Sequence, residues 1–176
     1  MINPQYKLIK KIICLIVFSI LSGCYDDNPD FVMKRVDYEG HELRIGGYYY
    51  CQDKHVSGSN QTHVIFLFRN GLILNPYPDS THDLIEVEQI LVRQYEHLKK
   101  YNNRWGLFVI NGNRLEYEKY DAEGGTVIRY VGSIENDTTF YLLQSVHHHF
   151  GVLSEEKIFH FKKFSPKPDS IKSFIK

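Results

Sequence analysis

The stretch HVIFLFRNGLIL, residues 63–74, combines the two features on which the predicted fold depends. Apolar side chains fall on both sides of an alternating pattern: Val64, Phe66 and Phe68 on one side, Ile65 and Leu67 on the other. A strand with that pattern is covered on both faces. Asn70-Gly71 follows and leads into a second apolar run at 72–74, which is the signal of a β-hairpin with a two-residue turn. The stretch therefore predicts two antiparallel strands, the first of them buried on both sides.

Similar patterns recur along the rest of the chain. A second Asn-Gly pair, at 111–112, separates two further apolar segments. Strands are predicted at 43–52, 105–110, 115–120, 126–134, 138–146 and 157–164. The 13 tyrosines and 11 phenylalanines favour the same interpretation, because aromatic residues suit half-buried pleated surfaces. Short strands joined by turn signals predict a mostly β fold, either an antiparallel up-and-down barrel or a sandwich.

One segment has helical periodicity instead. Between 83 and 101, apolar residues recur at the spacing of a helix: Leu84, Val87, Leu91, Tyr95 and Leu98. Ser80, Thr81 or Asp83 can cap its start, and Lys99 and Lys100 suit the negative end of the helix dipole. We expect one inserted amphipathic helix that covers one side, or one open end, of the sheet.

The N-terminus has the composition of a secretory signal peptide. Three lysines and no acid occur in residues 1–11, and residues 12–23 form an unbroken apolar run. That run is shorter than the roughly 20 residues needed to span a bilayer. It is also apolar all round, whereas a helix packed on a domain core is amphipathic. The pattern predicts a cleaved signal over residues 1–23.

The end of this signal resembles a bacterial lipobox. Leu21-Ser22-Gly23-Cys24 matches the order leucine, small, small, cysteine. The resemblance implies that Cys24 is acylated and becomes the first residue of a lipoprotein, with residues 24–42 as a lipidated tether and 43–176 as the folded domain. Tyr25 stands where inner-membrane lipoproteins carry aspartate, so the outer membrane of a Gram-negative bacterium is expected. The acidic residues beyond Cys24 resemble a surface-export signal.

Charge and cysteine content argue against a nucleic-acid-binding protein and against a domain held by an internal disulfide. The sequence has 21 basic and 21 acidic residues, and loss of the three signal-peptide lysines leaves a net charge of −3. A nucleic-acid partner would require a clustered basic face, so none is expected. Of the three cysteines, Cys14 leaves with the signal and Cys24 is lipidated. Cys51 therefore has no partner for an internal disulfide, and we expect it to be a buried strand residue.

Several segments together resemble small lipocalin-like (calycin-like) lipoproteins. They are Gly46-Gly47-Tyr48, the 66–71 segment FLFRNG, Trp105-Gly106 with Phe108, the 132–140 segment GSIENDTTF, and the 165–170 segment SPKPDS. The resemblance covers roughly residues 43–170 and implies an up-and-down barrel. Its motifs are structural, and no catalytic residues accompany them.

The residues that could support catalysis or metal binding have simpler interpretations. His147, His148 and His149 could join His160 or His63 in a three-nitrogen zinc site. However, Phe150-Gly151 directly afterwards favours a loop. Glu116 and Glu118 alternate with apolar residues and are expected on the solvent side of a half-buried strand rather than as an acid–base pair. The sequence has no nucleophile elbow and no phosphate loop. We therefore expect no enzyme activity, no cofactor and no metal.

Binding is the remaining function. A barrel of about eight strands is either filled by side chains or holds one small ligand. The inward aromatics that could line such a site are Tyr48, Tyr50, Phe66, Phe68, Trp105, Phe108, Tyr130, Phe140 and Phe159. For most of them, simply filling the core is the favoured interpretation. The sequence thus predicts a protein held on the bilayer through Cys24 that binds a small apolar or amphipathic ligand. The alternative is a lipoprotein that binds another envelope protein, as an inhibitor or assembly factor.

Overall fold

The strands follow one another around a closed antiparallel barrel. The computed structural model describes residues 31–54, 60–76, 83–121, 125–148, 150–170 and 175. Each strand pairs with the next in the chain, and the last pairs with the first. The strands are β1 (Gly47–Lys54), β2 (Asn60–Leu67), β3 (Leu72–Leu74), β4 (Trp105–Asn111), β5 (Arg114–Asp121), β6 (Thr126–Asn136), β7 (Thr139–His147) and β8 (Gly151–Lys163). The predicted mostly β fold is confirmed as an up-and-down barrel rather than a sandwich.

Two apolar clusters stabilise the barrel, one on each side of its wall. The inner cluster draws side chains from strands all around the barrel, among them Tyr49, Ile65, Phe108 and Phe140. The outer cluster draws only on strands β1 to β4 and on the helix and chain termini that cover them, and Phe66 and Trp105 belong to it. Strand β2 contributes to both clusters, so the prediction that it is covered on both faces is confirmed.

Helix α1 (Leu84–Leu98) covers the outside of the barrel at β1 to β4, and a single 3-10 turn (Asn102–Arg104) joins it to β4. The Asp83 carboxylate caps the helix by accepting a hydrogen bond from the Ile85 amide at 2.8 Å. Val87 and Leu91 point into the outer cluster and are buried. The prediction of an amphipathic helix on one side of the sheet is therefore confirmed. Among the described residues, no helix has the length and apolarity needed to cross a bilayer.

The turn between β2 and β3 differs from the prediction. The Phe68 carbonyl accepts a hydrogen bond from the Gly71 amide at 3.1 Å, and the Phe68 amide donates to the Leu72 carbonyl at 3.0 Å. Gly71 has φ +73°, while Asn70 stays at negative φ. A two-residue type I′ turn needs positive φ at both central residues, so the loop has three residues instead. A side chain at position 71 would also meet the Val36 carbonyl oxygen, 2.1 Å from an ideal Cβ.

The second Asn-Gly pair also gives a shifted turn. Asn111 pairs with Arg114, so the two-residue loop is Gly112-Asn113 rather than Asn111-Gly112. Gly112 has φ +60° and Asn113 does not share it. Glycine at the first central position is the arrangement of a type II′ turn. The predicted hairpin is confirmed, but its loop lies one residue further along the chain.

Strand β8 begins at Gly151, six residues before the predicted start at 157. The polar run at 154–156 hides this part of the strand, because a bulge there interrupts the alternation. Two residues, Glu155 and Glu156, lie opposite the single Leu143 of β7. Glu156 adopts φ +44°, which fits a residue displaced at a bulge.

Chain segments outside the strands fill one end of the barrel. This plugged end carries the β2–β3, β4–β5 and β6–β7 turns. Tyr38 and Leu43 belong to the inner cluster, and the Tyr38 amide donates to the Arg69 carbonyl at 2.7 Å. Strand β1 therefore begins at Gly47 rather than at the predicted residue 43, since residues 43–46 close the barrel instead of extending it. The predicted signal and lipobox, residues 1–24, lie outside the described residues.

Candidate functional site

A cavity of about 140 Å³ lies inside the barrel at the end opposite the plugged end. At this end, called the cavity end below, β5 ends at Asp121 and β7 ends at His147. Its walls are the inner faces of β2, β5, β6, β7 and β8 together with the residue after β3. The lining residues are His63, Ile65, Asn75, Tyr117, Lys119, Tyr130, Leu142, Glu155, Lys157 and Phe159. A mostly apolar lining with a few convergent polar groups is usual for a ligand site, although this cavity is smaller than the roughly 300–1,000 Å³ of most such sites.

A larger depression of about 450 Å³ lies at the plugged end. Loop residues form most of it, including Arg44 and Asp137, whose side chains are about half exposed and form an ion pair at 2.7 Å. An exposed ion pair of this kind stabilises a surface only slightly. The cavity within the barrel, which is walled by five strands and lined by several polar groups, is therefore the better candidate site.

A chain of ionisable groups runs along one wall of the cavity. Both Asp53 carboxylate oxygens lie 3.2 Å from His63 Nε2. Lys157 Nζ lies 3.2 Å from a Glu155 oxygen and 3.8 Å from an Asp53 oxygen. Burial lowers the pKa of His63, and the positive charge of Lys157 lowers it further against the opposing effect of Asp53. His63 is therefore neutral at pH 7 and presents one donor and one acceptor nitrogen.

Asn75 supplies a buried hydrogen-bond acceptor without a partner. Only 7% of the residue is exposed. Its Nδ2 donates to the Val64 carbonyl at 3.1 Å, and its backbone amide donates to the Arg104 carbonyl at 2.8 Å. Its Oδ1 accepts no hydrogen bond from any described residue. Because a buried unsatisfied acceptor costs about 1–3 kcal/mol, a donor from a water or a ligand would be stabilising here.

Aromatic rings form the apolar part of the cavity. Tyr117 and Tyr130 stack with centroids 4.6 Å apart, and Lys119 Nζ lies 5.7 Å from the Tyr130 ring. Phe159 stacks on Phe140 at 4.8 Å. The cavity can therefore contact an apolar group on one side and polar groups on the other.

Cys51 lies in β1 among the inner-cluster residues. It is 5% exposed, so the prediction of a buried strand cysteine is confirmed. Burial raises the pKa of its thiol. The group is consequently protonated at neutral pH and is a poor nucleophile.

The residues predicted to line the site do not share one face. Phe108 and Phe140 belong to the inner cluster, and Tyr130 lines the cavity itself, as does Phe159. The others lie in or against the outer cluster under α1: Tyr48, Tyr50, Phe66, Phe68 and Trp105. The prediction that all these aromatics point inward is wrong, because apolar residues on both faces of β1, β2 and β4 conceal which face is inside.

Sequence reasoning missed most of the polar lining. Lys119 and Lys157 occupy inward positions of β5 and β8 but look like solvent-facing residues in an alternating pattern. Asn75 lies just outside β3 and belongs to no periodic pattern. One signal was available in the sequence. Tyr49, Cys51 and Asp53 are two residues apart, so in a strand they share one face, and Asp53 places a charged group on the same face as the two apolar residues.

The histidines do not assemble into the zinc site considered above. His63 lines the cavity, whereas His160 is exposed and lies beside outward-facing Tyr50, their rings 6.1 Å apart. His147 ends β7 and His149 lies outside the described residues. Within the described part of the chain, no group of three histidine, cysteine, aspartate or glutamate residues is placed to bind a metal ion.

Glu116 and Glu118 have different environments although both face outward from β5. Glu116 forms ion pairs with Arg114 and Arg129. Glu118 is 3% exposed, and its Oε2 accepts hydrogen bonds from the Val32 and Met33 amides at 2.9 and 2.8 Å. The prediction that Glu118 faces solvent is wrong, because the N-terminal segment covers this part of β5.

Comparison of the chain with protein-family models, with curated proteins and with solved structures gave no match.

Proposed function

We propose that this protein is a lipid-anchored component of the bacterial cell envelope that binds a small amphipathic molecule inside its barrel and does not transform it. The observation that carries the proposal is a cavity lined by charged and aromatic side chains together with Asn75, whose buried Oδ1 has no hydrogen-bond partner among the described residues. The eight-stranded up-and-down barrel is consistent with the lipocalin-like lipoproteins that the sequence motifs resemble. The resemblance of residues 21–24 to a lipobox supports the anchor.

The size of the cavity limits the ligand. A volume of about 140 Å³ is well below the roughly 300–1,000 Å³ of pockets that hold drug-sized ligands. A long acyl chain does not fit this space, whereas a molecule the size of an amino acid or a small hydroxy acid does. Such a ligand would donate a hydrogen bond to Asn75 and contact the aromatic side of the cavity with its apolar part. We therefore favour a compact amphipathic ligand over a wholly apolar one.

Thermal unfolding tests the binding proposal. The purified protein would be heated with single amino acids, short hydroxy acids and small sugars, each at millimolar concentration. A ligand at 100 times its Kd stabilises the folded state by about 2.7 kcal/mol, so a true ligand should raise Tm by several degrees. Asn75→Leu, which keeps the side-chain shape and removes both the acceptor and the hydrogen bond to the Val64 carbonyl, should reduce that shift.

Asn70→Leu is the matched control for this test. Asn70 also carries a buried Oδ1 without a described partner, but it lies in the β2–β3 turn at the plugged end. Its replacement should leave the ligand-induced shift in Tm unchanged. Equal shifts in the wild type and in Asn75→Leu would show that the cavity is not the site.

The anchor is tested separately. Cys24→Ser removes the thiol to which the lipid would be attached, so growth with a labelled fatty acid should label the wild-type chain only. Label on the Ser variant would refute the lipobox assignment.

A further inference from the structure

Exposed apolar side chains are concentrated on the β7–β8 hairpin. Among the described residues, ten large apolar side chains are exposed, and five of them lie on this one hairpin. They are Leu143 (50% exposed), Phe150 (76%), Val152 (62%), Leu153 (44%) and Ile158 (42%). Three of them, Phe150, Val152 and Leu153, lie within three residues of the hairpin tip. Exposed apolar side chains that are close together on a protein surface often contact a partner or a membrane.

The hairpin ends at the cavity end of the barrel. His147 pairs with Gly151 at its tip, and Phe150 lies in the connecting loop. The His147 ring packs edge-on against Phe150 at 6.0 Å, which restricts the phenylalanine although it is exposed. The most exposed apolar residues of the hairpin, Phe150 and Val152, therefore lie next to the rim of the cavity end.

The N-terminal attachment limits how far the barrel can stand from a lipid anchor. Val32 and Met33 are held on β5 by Glu118, which lies three residues before the cavity-end terminus of that strand. Three strand residues span about 10 Å. The seven residue steps from Cys24 to Phe31 span at most about 25 Å even when fully extended. An anchor at Cys24 can thus reach past the cavity-end rim, and it keeps the barrel close to the bilayer.

We propose that the apolar tip of the β7–β8 hairpin, centred on Phe150 and Val152, inserts into the lipid–water interface so that the cavity end of the barrel faces the membrane. The proposal rests on the proposed acylation of Cys24. Its occupant is the bilayer rather than a protein, because the short attachment keeps exposed aromatic and aliphatic side chains within reach of lipid at all times. The ligand cavity would then open toward the membrane surface.

Depth-dependent quenching tests this orientation in the full lipidated chain. Phe150→Cys would be labelled with an environment-sensitive fluorophore and reconstituted into phosphatidylethanolamine–phosphatidylglycerol vesicles containing nitroxide-labelled lipid. Cys51 is 5% exposed and should not react, and the sulfur of an acylated Cys24 is already a thioether. Phe150 is 76% exposed, so this variant should fold.

Asn111→Cys is the matched control, since Asn111 is exposed at the β4–β5 turn of the plugged end. We expect the label at 150 to be quenched at least threefold more strongly than the label at 111. Equal quenching, or stronger quenching at 111, would overturn the proposal. Quenching at 150 that requires an added membrane-protein extract would also overturn it, in favour of a protein partner. Fatty-acid labelling of the same samples separates these results from a failure of the anchor itself.

Discussion

Replacing Glu118 with alanine should detach the N-terminal segment from β5 and destabilise the folded protein. The carboxylate is 3% exposed and accepts two backbone hydrogen bonds, at 2.9 Å from Val32 and 2.8 Å from Met33. A hydrogen bond to a charged group contributes about 1.5–3 kcal/mol. The cost of burying the charge is removed together with the side chain and offsets part of that sum. We therefore expect a net loss of about 2–4 kcal/mol in the free energy of unfolding.

Glu116→Ala is the control on the same face of the same strand. Its ion pairs with Arg114 and Arg129 involve arginines that are about half exposed, so its loss should cost about 0–1 kcal/mol. Urea unfolding followed by circular dichroism measures both variants. Hydrogen exchange at the Val32 and Met33 amides should accelerate in Glu118→Ala alone. Equal unfolding energies for the two variants would refute the role given to Glu118.

Three further predictions concern the packed parts of the barrel. Burial lowers the pKa of Lys167 to about 8, below the value of about 10.4 in an unfolded chain. Between pH 8 and 10 the unfolded state therefore binds more protons than the folded state, and the free energy of unfolding rises with pH. Urea midpoints measured at pH 7.5 and 9.5 should show this rise in the wild type relative to Lys167→Met. The same pH dependence in both proteins would contradict the prediction. Phe66→Ala should cost about 3–5 kcal/mol in urea unfolding, because the side chain is wholly buried between barrel and helix, and a loss below 1 kcal/mol would not fit that position. Trp105 is fully buried in the outer cluster, so acrylamide should quench its fluorescence only weakly. Its emission should also stay unchanged when a ligand fills the cavity. A ligand-induced shift of the emission maximum would place the ligand under the helix instead.

The sequence was most informative where two independent signals coincided. In residues 63–74, apolar residues on both faces and a glycine turn together specified a buried hairpin, and the structure contains it. Helix α1 was equally clear, because Leu84, Val87 and Leu91 recur at helical spacing next to a capping Asp83. These features depend on local spacing, which a single sequence displays directly.

Which face of each strand points into the barrel could not be inferred from local spacing. Tyr48, Tyr49 and Tyr50 are chemically alike, yet Tyr49 points into the barrel while its neighbours face the helix side. Only the position of α1 decides between the two faces, and that is a long-range contact. The buried state of Glu118 likewise depends on a segment about 85 residues earlier in the chain.

The candidate site was the least predictable part of the molecule. The sequence predicted a lining of aromatic residues. The polar part of the lining comes instead from single residues on separate strands, such as His63, Lys119 and Lys157. Closure of the barrel brings them together, and no local pattern marks them. Asn75 is recognisable only from its burial and from an Oδ1 that accepts no hydrogen bond from the described residues.

Native mass spectrometry of the protein, gently extracted from the membranes of the cells that produce it, tests the central claim most directly. If the cavity is a binding site, the wild-type protein should include a population heavier than the acylated chain by the mass of one small organic molecule. Asn75→Leu should lose that population, and Asn70→Leu should keep it. A wild-type spectrum containing only the acylated polypeptide, or an adduct that persists in Asn75→Leu, would contradict the account.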